Sequence, residues 1–285
     1  MRVIFVPVAD RPECARALRT AFDLGQRLGA NVTGCHVRAH RDSNVALPRD
    51  LASVADYDAA WHAALKGKAS KKQSKSAQLL FSAVAEKHDF PIVKKLGSRK
   101  GAAWLEKVGS PDKVLSIWGP VSDLLVVSRP SKKGGKLARL FLNAALMNSA
   151  KPVLVMPQSG RTAVGSRVSI AWNQSAEAAR AVAMAMPVLQ AADQVNIVTV
   201  GPEAGLGPKA GQLANYLRAW GVKSKRIAAK GDDDAEALVE ACDETDSDLL
   251  VMGAYSRSRL RQRIFGGVTE YMLTRARIPV LMLHS

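Results

Sequence analysis

A chain of 285 residues, 47% hydrophobic and 23% charged, has the composition of a globular protein and excludes a disordered one. Its length suits one large domain or two of ordinary size. No run reaches the roughly 18 apolar residues of a bilayer-spanning helix, and the apolar start Val3–Val8 is too short for a secretory signal and has no small-residue cleavage site after it. Three scattered cysteines, Cys14, Cys35 and Cys242, form neither a disulfide framework nor a CxxC pair, so the cytoplasm is the expected compartment. The net charge of +16 is uneven: residues 1–158 hold 26 Lys and Arg against 12 Asp and Glu, net +14, and residues 159–285 hold 15 against 13, net +2. Much of the excess lies in Lys66, Lys68, Lys71, Lys72 and Lys75 and in Lys94, Lys95, Arg99 and Lys100. No aromatic residues interleave with these lysines as on a base-stacking platform, so they read as a solvated face. Neither specific nucleic-acid binding nor a membrane partner is expected.

Short Val/Ile/Leu runs alternate with helical periodicity along the chain. In the first part, strands are expected near 2–8, 31–37, 92–96, 124–128 and 152–156, with a long helical region near 45–88 that Gly67, set between lysines, breaks into two pieces. Pro157–Ser166 is polar and glycine-bearing and reads as a linker. Val168–Trp172 is a continuous apolar strand, and Ala179, Val182, Ala183 and Met186 stand at i, i+3, i+4, i+7, one apolar stripe on a helix. Ser175 suits the N-cap of that helix, and Pro187 is expected to kink or shorten its end. A strand Val195–Val200, a helix 208–219, a strand Ser224–Ala229 and a helix Asp233–Cys242 with an acidic first turn follow. Leu249–Met252, a helix from Gly267, and Val280–Leu283 complete the series. Strands buried on both faces and alternating with helices predict a parallel, doubly wound α/β sheet with helices on both faces.

The chain repeats itself. Asp123-Leu124-Leu125-Val126-Val127-Ser128 answers Asp248-Leu249-Leu250-Val251-Met252-Gly253, Lys151-Pro152-Val153-Leu154-Val155-Met156 answers Ile278-Pro279-Val280-Leu281-Met282-Leu283, and Arg2–Val6 answers Arg167–Ala171. Two tandem domains are therefore expected, residues 1–158 and 166–285.

Residues 248–285 carry the densest motif. A strand ends in Gly253, Ser256 follows, an Arg-rich stretch holds Arg257, Arg259, Arg261 and Arg263, and Gly266-Gly267-Val268-Thr269 opens a helix. Glycines at a strand end and at a helix start bare backbone N–H groups, and with the helix dipole behind them they suit an anion. This segment resembles the nucleotide-binding end of the universal stress protein family, whose pattern is Gly, two residues, Gly, nine residues, Gly, then Ser or Thr. Gly253, Ser256, Gly266 and Gly267 occupy the four positions with the nine-residue gap intact, and Ser256 and Gly267 depart from it. The resemblance covers the whole chain. Ala30–Arg38 is similar to the family's second strand, and Leu142–Leu146 to the degenerate fourth helix of N-terminal halves in such tandems. It implies a five-stranded sheet of order 3-2-1-4-5 in each half, with ligand at the switch point between strands 1 and 4. It also implies pairing between the exposed edges of the fifth strands, Val153–Met156 and Val280–Leu283, and a homodimer is expected.

On that fold the resemblance brings Ala171-Trp172-Asn173, Val200, Met252-Gly253, Ser256 and Gly266-Gly267-Val268-Thr269 together as a site for an adenine nucleotide: ATP, or AMP or ADP, with Mg²⁺. Asn173 stands where the family has Asp, keeping an acceptor oxygen and losing the charge. Arg257 is the arginine expected on phosphate oxygens, and Thr269 a hydroxyl for phosphate or metal-bound water. Each also has a plain reading: Gly253 for a tight turn, Met252 for the core, Gly267 for close helix–sheet packing, Asn173 as a turn or cap residue. The first repeat has Ser128 and Ser131 at the glycine positions and no glycine pair before Asn143-Ala144-Ala145, so it is expected to be a structural partner.

No Walker A pattern, GxSxG elbow or HExxH occurs. His36 and His40 fall at a strand end, where an i, i+4 spacing does not put two rings on one face, and Asp232-Asp233-Asp234 reads as a helix start. With no positioned base or nucleophile, the chain is not expected to be an enzyme. The expected function is a nucleotide-binding sensor. The rival is a nucleotide-independent interaction module with vestigial sites, and a slow ATPase stands third.

Overall fold

The structure, a computed structural model, describes residues 1–9, 11–38, 69–130, 135–254 and 267–284. These divide into two compact units, Met1–Lys151 and Pro152–Ser285. Among the described residues of the first unit the elements run β1 (Val3–Pro7), α1 (Pro12–Leu28), β2 (Asn31–Arg38), α2 (Ala69–Lys87), β3 (Ile92–Val93), β4 (Ala102–Val108), α3 (Pro111–Trp118), β5 (Leu124–Ser128) and α4 (Gly135–Asn148). Its strands lie in the order β3-β4-β2-β1-β5, and each registered pair is parallel.

Local chemistry sets the helix ends. Pro12 opens α1 at a position that needs no amide donor, and Gly29 closes it in the left-handed region at φ 62. Inside the first unit Phe22 lies against Phe81, Phe90 and His88, and Phe81 against Trp104. Gly34 on β2 is required by this cluster, because a Cβ there would run into the Phe81 ring. Lys72 and Lys75 are exposed on α2, as a solvated face requires, while Gly67, Lys66 and Lys68 lie outside the described residues.

The third strand differs from its expected place at 92–96. Only Ile92–Val93 forms a short edge strand, and the full strand is β4, registered along its whole length with β2 from Val32↔Ala102 to Arg38↔Val108. Its residues pass from buried Ala102 and Ala103 to Glu106 and Lys107. Charged residues at its exposed end hide it from a search for unbroken apolar runs.

The second unit contains β6 (Val153–Met156), β7 (Arg167–Ala171), α5 (Ala176–Gln190), β8 (Gln194–Val200), α6 (Ala210–Ala219), β9 (Ser224–Ala229), α7 (Asp234–Glu244), β10 (Leu249–Gly253), α8 (Gly267–Thr274) and β11 (Val280–Leu283). Its order is β6-β11-β10-β7-β8-β9. Every registered pair is parallel except one: Val153, Leu154 and Val155 run antiparallel to Met282, Leu281 and Val280. The fifth strand of the first sequence repeat thus covers the edge of the fifth strand of the second. Both are buried along their length, which removes an exposed apolar edge.

Ser175 caps α5 by accepting from the Ala178 amide at 3.1 Å, and Asp233 caps α7 by accepting from Ala235 and Glu236. Pro187 does not shorten α5, which continues to Gln190. Val188 and Leu189 are each 1% exposed, and their burial holds the last turn that proline leaves short of a donor.

The repeated Asp-Leu-Leu-Val segments share a task. Asp123 accepts from the amides of Arg2 and Val3, and Asp248 from those of Gly165, Ser166 and Arg167, so each carboxylate ties the start of its unit's central strand. Burial pushes the Asp123 carboxyl up. The Arg2 and Val3 amides, the N-terminal ammonium and Lys151 outweigh burial and hold it below its ordinary 3.8. A depressed folded pKa stabilises above the unfolded value, and the gain is lost as pH falls through the folded one. Wild type is therefore expected to exceed Asp123→Asn in stability at pH 7, with the gap closing at pH values below 3.8. Urea unfolding at several pH values reads this; a gap that persists in acid would rule the carboxylate out as its cause.

Candidate functional site

The switch point of the second unit lies between β7 and β10, neighbours in the sheet whose continuations lead to opposite edges. At its carboxyl end Ala171 stands opposite Met252, and Gly253 opposite Leu283. Trp172 is 4% exposed; its amide donates to Val198 O and its indole Nε1 to Pro208 O, each at 2.8 Å. Val200 ends β8, one strand further, and is half-buried. Met252 is 6% exposed and belongs to the core. The sheet therefore gathers Ala171, Trp172, Asn173, Met252 and Gly253, with Val200 one strand away. Gly267, Val268 and Thr269 open α8, exposed, half-buried and buried in turn. Ser256, Arg257 and Gly266 lie outside the described residues.

The two described glycines have different grounds. A Cβ on Gly253 would stand 2.5 Å from Ala178 N, 2.6 Å from Glu177 C and 2.7 Å from Glu177 Cβ, so glycine is demanded by the backbone of the first turn of α5. Gly267 is the opposite case. Among the described residues nothing lies within 4 Å of the position its Cβ would take, so close helix–sheet packing does not account for it.

Asn173, expected near a ribose, is exposed and turns its Oδ1 to the Ser175 amide at 3.2 Å, forming the turn into α5. Next to it stands a residue the sequence reading passed over. Gln174 adopts φ 61, donates from Nε2 to the carbonyls of Gly205 (3.3 Å) and Gly207 (2.8 Å), and accepts from the Gly205 amide (2.9 Å). With the Trp172 indole on Pro208, these bonds fasten the loop 201–208 to the end of β7. Glycine is needed at 207, where a Cβ would collide with the Gln174 carbonyl. The signal for this loop is its Gly201-Pro202-Glu203-Ala204-Gly205-Leu206-Gly207-Pro208 composition. Nearby, burial holds the His284 imidazole below its ordinary pKa, and the Glu177 carboxylate acts in the opposite direction.

No group of three His, Cys, Asp or Glu side chains able to hold a metal occurs among the described residues. No helix among them is long and apolar enough to cross a membrane.

The first unit has the corresponding switch point between β1 and β5. Ser128 occupies the place of Gly253 and donates from Oγ to the Glu13 carbonyl in the first turn of α1, at 2.8 Å. There the strand–helix gap is wide enough for a side chain. A shallow recess open to solvent lies beside it, lined by Pro7, Val8, Val127, Ala138 and Phe141 together with Cys14, Arg11 and Glu13.

Comparison with known proteins agrees on one family. The model of the universal stress protein family matches residues 125–284. A universal stress protein of Synechocystis sp. is 32% identical over 136 residues, 46% of this chain and 46% of the relative; the match thus spans about half the length of that protein. Among solved structures, a universal stress protein from Archaeoglobus fulgidus superposes with a TM-score of 0.67 at 17% identity, over 99% of this chain and 98% of the other. A second, from Pseudomonas aeruginosa, gives 0.60 at 15% identity, over 100% and 93%. At such identities these likenesses concern the fold.

Proposed function

We propose, from the premise that this chain belongs to the universal stress protein family, that its C-terminal repeat, residues 166–285, binds an adenine nucleotide. The ligand is ATP, or AMP or ADP, with Mg²⁺ carried on the phosphates. The protein works as a cytoplasmic homodimeric sensor, through occupancy rather than turnover, and the first repeat supports the second.

The observation that carries this reading is Gly267. It opens a helix, is exposed, and among the described residues has nothing within 4 Å of the place a Cβ would take. A helix start without a side chain offers its amides and dipole to a phosphate, and among the described residues no packing like that at Gly253 calls for a glycine at 267.

A second reading has its own support. The Asn173 side chain is committed to the α5 turn, and Gly253 is fully accounted for by packing, as a nucleotide-independent interaction module would allow.

Calorimetric titration with ATP, ADP, AMP and cyclic AMP separates the two. Wild type is expected to bind at least one of these at millimolar ligand or below. Gly267→Asp places a carboxylate at an exposed helix start, so it should unfold like wild type yet bind at least ~tenfold more weakly, about 1.4 kcal/mol. A wild type silent toward all four ligands hands the function to the interaction module. Unchanged binding in Gly267→Asp moves the phosphates away from α8.

A further inference from the structure

One stretch of the second unit departs from the rest in both charge and exposed apolar surface. Residues 204–231 hold six Lys and Arg and no Asp or Glu, while the remainder of residues 159–285 hold 9 against 13. The same stretch carries Tyr216 and Trp220, 43% and 48% exposed, the two exposed aromatic residues among the described residues. We propose that α6 and the entry of β9 form a binding surface for single-stranded nucleic acid, bound without regard to base sequence.

The helix is seated so that both rings stay outside. Leu213 and Leu217 are 5% and 0% exposed and hold α6 on the sheet. Tyr216 and Trp220 stand one turn apart on a flank of the helix. Their ring centroids lie 6.4 Å apart with 65° between the planes, so the rings do not stack on each other and each keeps a face. Trp220 ends the helix, where its carbonyl accepts from Gln190 Nε2 at 3.1 Å and its amide donates to Leu217 O at 3.0 Å. The backbone that carries this ring is therefore fixed, and Gly221, at φ 77, turns the chain toward Lys223.

Cations flank the rings. Lys209 precedes the helix, Arg218 lies between the two aromatic positions, and Lys223 follows Trp220 by three residues; all three are exposed. Arg226, also exposed, points to the α6 side of the sheet. Its Nη1 lies 3.4 Å from where a Cβ on Gly211 would stand, against the first turn of the helix. Among the described residues none of these four cations is ion-paired. The bordering carboxylates in sequence are Glu203, which accepts from the Ala210 amide, and Asp232.

Cations beside bare rings select a polyanion that carries planar groups. Ammonium and guanidinium groups hold phosphates, and Tyr and Trp take the faces that every base offers. In a duplex those faces are covered by neighbouring base pairs, so the strand must be single. A bilayer surface calls for large apolar side chains on the outward side of a helix, and on α6 that side carries Gln212, Asn215, Arg218 and Ala219. The lysines of the first unit have no exposed ring beside them among the described residues, so they offer charge alone.

Fluorescence anisotropy of a labelled oligothymidylate, titrated with the intact protein at several salt concentrations, tests this. Log affinity should fall with log salt at about −0.7 for each phosphate neutralised. Trp220→Ala and Tyr216→Ala, at exposed positions, should keep the fold and each weaken binding at least ~tenfold with the salt slope unchanged. Lys223→Gln combined with Arg226→Gln should weaken binding and reduce the slope by about 1.4. The oligonucleotide should quench tryptophan emission in wild type, and Trp220→Ala should lose the largest part of that quenching.

Four results overturn the proposal. The first is a wild type that does not bind the oligonucleotide. The second is undiminished binding in both ring variants, which leaves the charge of the first half as its cause. Displacement of the oligonucleotide by millimolar ATP is the third, because it puts the strand in the nucleotide site. The fourth is ring variants that lose affinity for phosphatidylserine vesicles and keep it for the oligonucleotide, which makes the surface a membrane contact. If one ring variant does not fold, the other and the charge variant still decide.

Discussion

Gly253→Ala is expected to destabilise the protein by about 2–3 kcal/mol, although it adds one methyl group at the end of a strand. The new Cβ would stand 2.5–2.7 Å from Ala178 N, Glu177 C and Glu177 Cβ. Two of these three atoms are backbone, so no side-chain rotation relieves the contact. The first turn of α5 cannot retreat cheaply either. Its Ser175 cap holds the Ala178 amide, and Ala178 and Ala181 are 2% and 0% exposed against the sheet. Urea unfolding monitored by circular dichroism measures the loss. A change below about 0.5 kcal/mol, the range of an ordinary surface substitution, would mean that the helix start yields freely. The same variant bears on function. Gly253 reads in sequence as a phosphate glycine, yet packing alone demands it. Weaker nucleotide binding in Gly253→Ala would therefore follow from a displaced helix and would be no evidence of contact with the ligand; Gly267→Asp carries that question.

Asp248→Ala is expected to cost about 3 kcal/mol. Its carboxylate accepts from Gly165 N at 2.7 Å, Ser166 N at 3.0 Å and Arg167 N at 3.2 Å, and its own amide donates to Arg167 O at 2.8 Å. A hydrogen bond to a charged group contributes about 1.5–3 kcal/mol. Three on one half-buried acceptor share their charge and their access to water, so the total falls well short of three times the single value. The loss ties the entry of β7 to the position of the neighbouring β10. Freed amides at 165–167 would also loosen the segment before β7, where Val164 is 2% exposed. Hydrogen exchange of these three amides should accelerate along with the drop in unfolding midpoint, and Asp248→Asn, which keeps one acceptor oxygen, should fall between the two. Loss of stability without faster exchange at 165–167 would place the effect elsewhere.

Alternating apolar runs and helical stripes sufficed for the α/β class, the repeat, and nearly every strand of the second unit, because strands buried on both faces must be continuously apolar. The Asp-Leu-Leu-Val pairs marked the equivalent strands, Ser175 marked a cap whose short side chain can bond only locally, and the acidic run 232–234 marked the start of α7, where Asp233 proves to be the cap and not the first helical residue. Where the pattern was impure it misled. β4 carries Glu106 and Lys107 toward its exposed end and escaped notice, and Pro187 suggested an early helix end that the buried Val188 and Leu189 prevent. The site was legible as a list of residues but not as a set of reasons. Sequence spacing cannot distinguish a glycine kept for a neighbouring backbone, as at Gly253, from one such as Gly267 that no described residue crowds, since the difference lies in atoms brought near from distant parts of the chain. For the same reason the fastening of the loop 201–208 to Gln174 had no signature in the sequence, although the loop's own glycines and prolines mark it. Local chemistry and periodicity were fixed by the order of residues; which surfaces touch, and which leave room for a ligand, were decided only when the helices packed on the sheets.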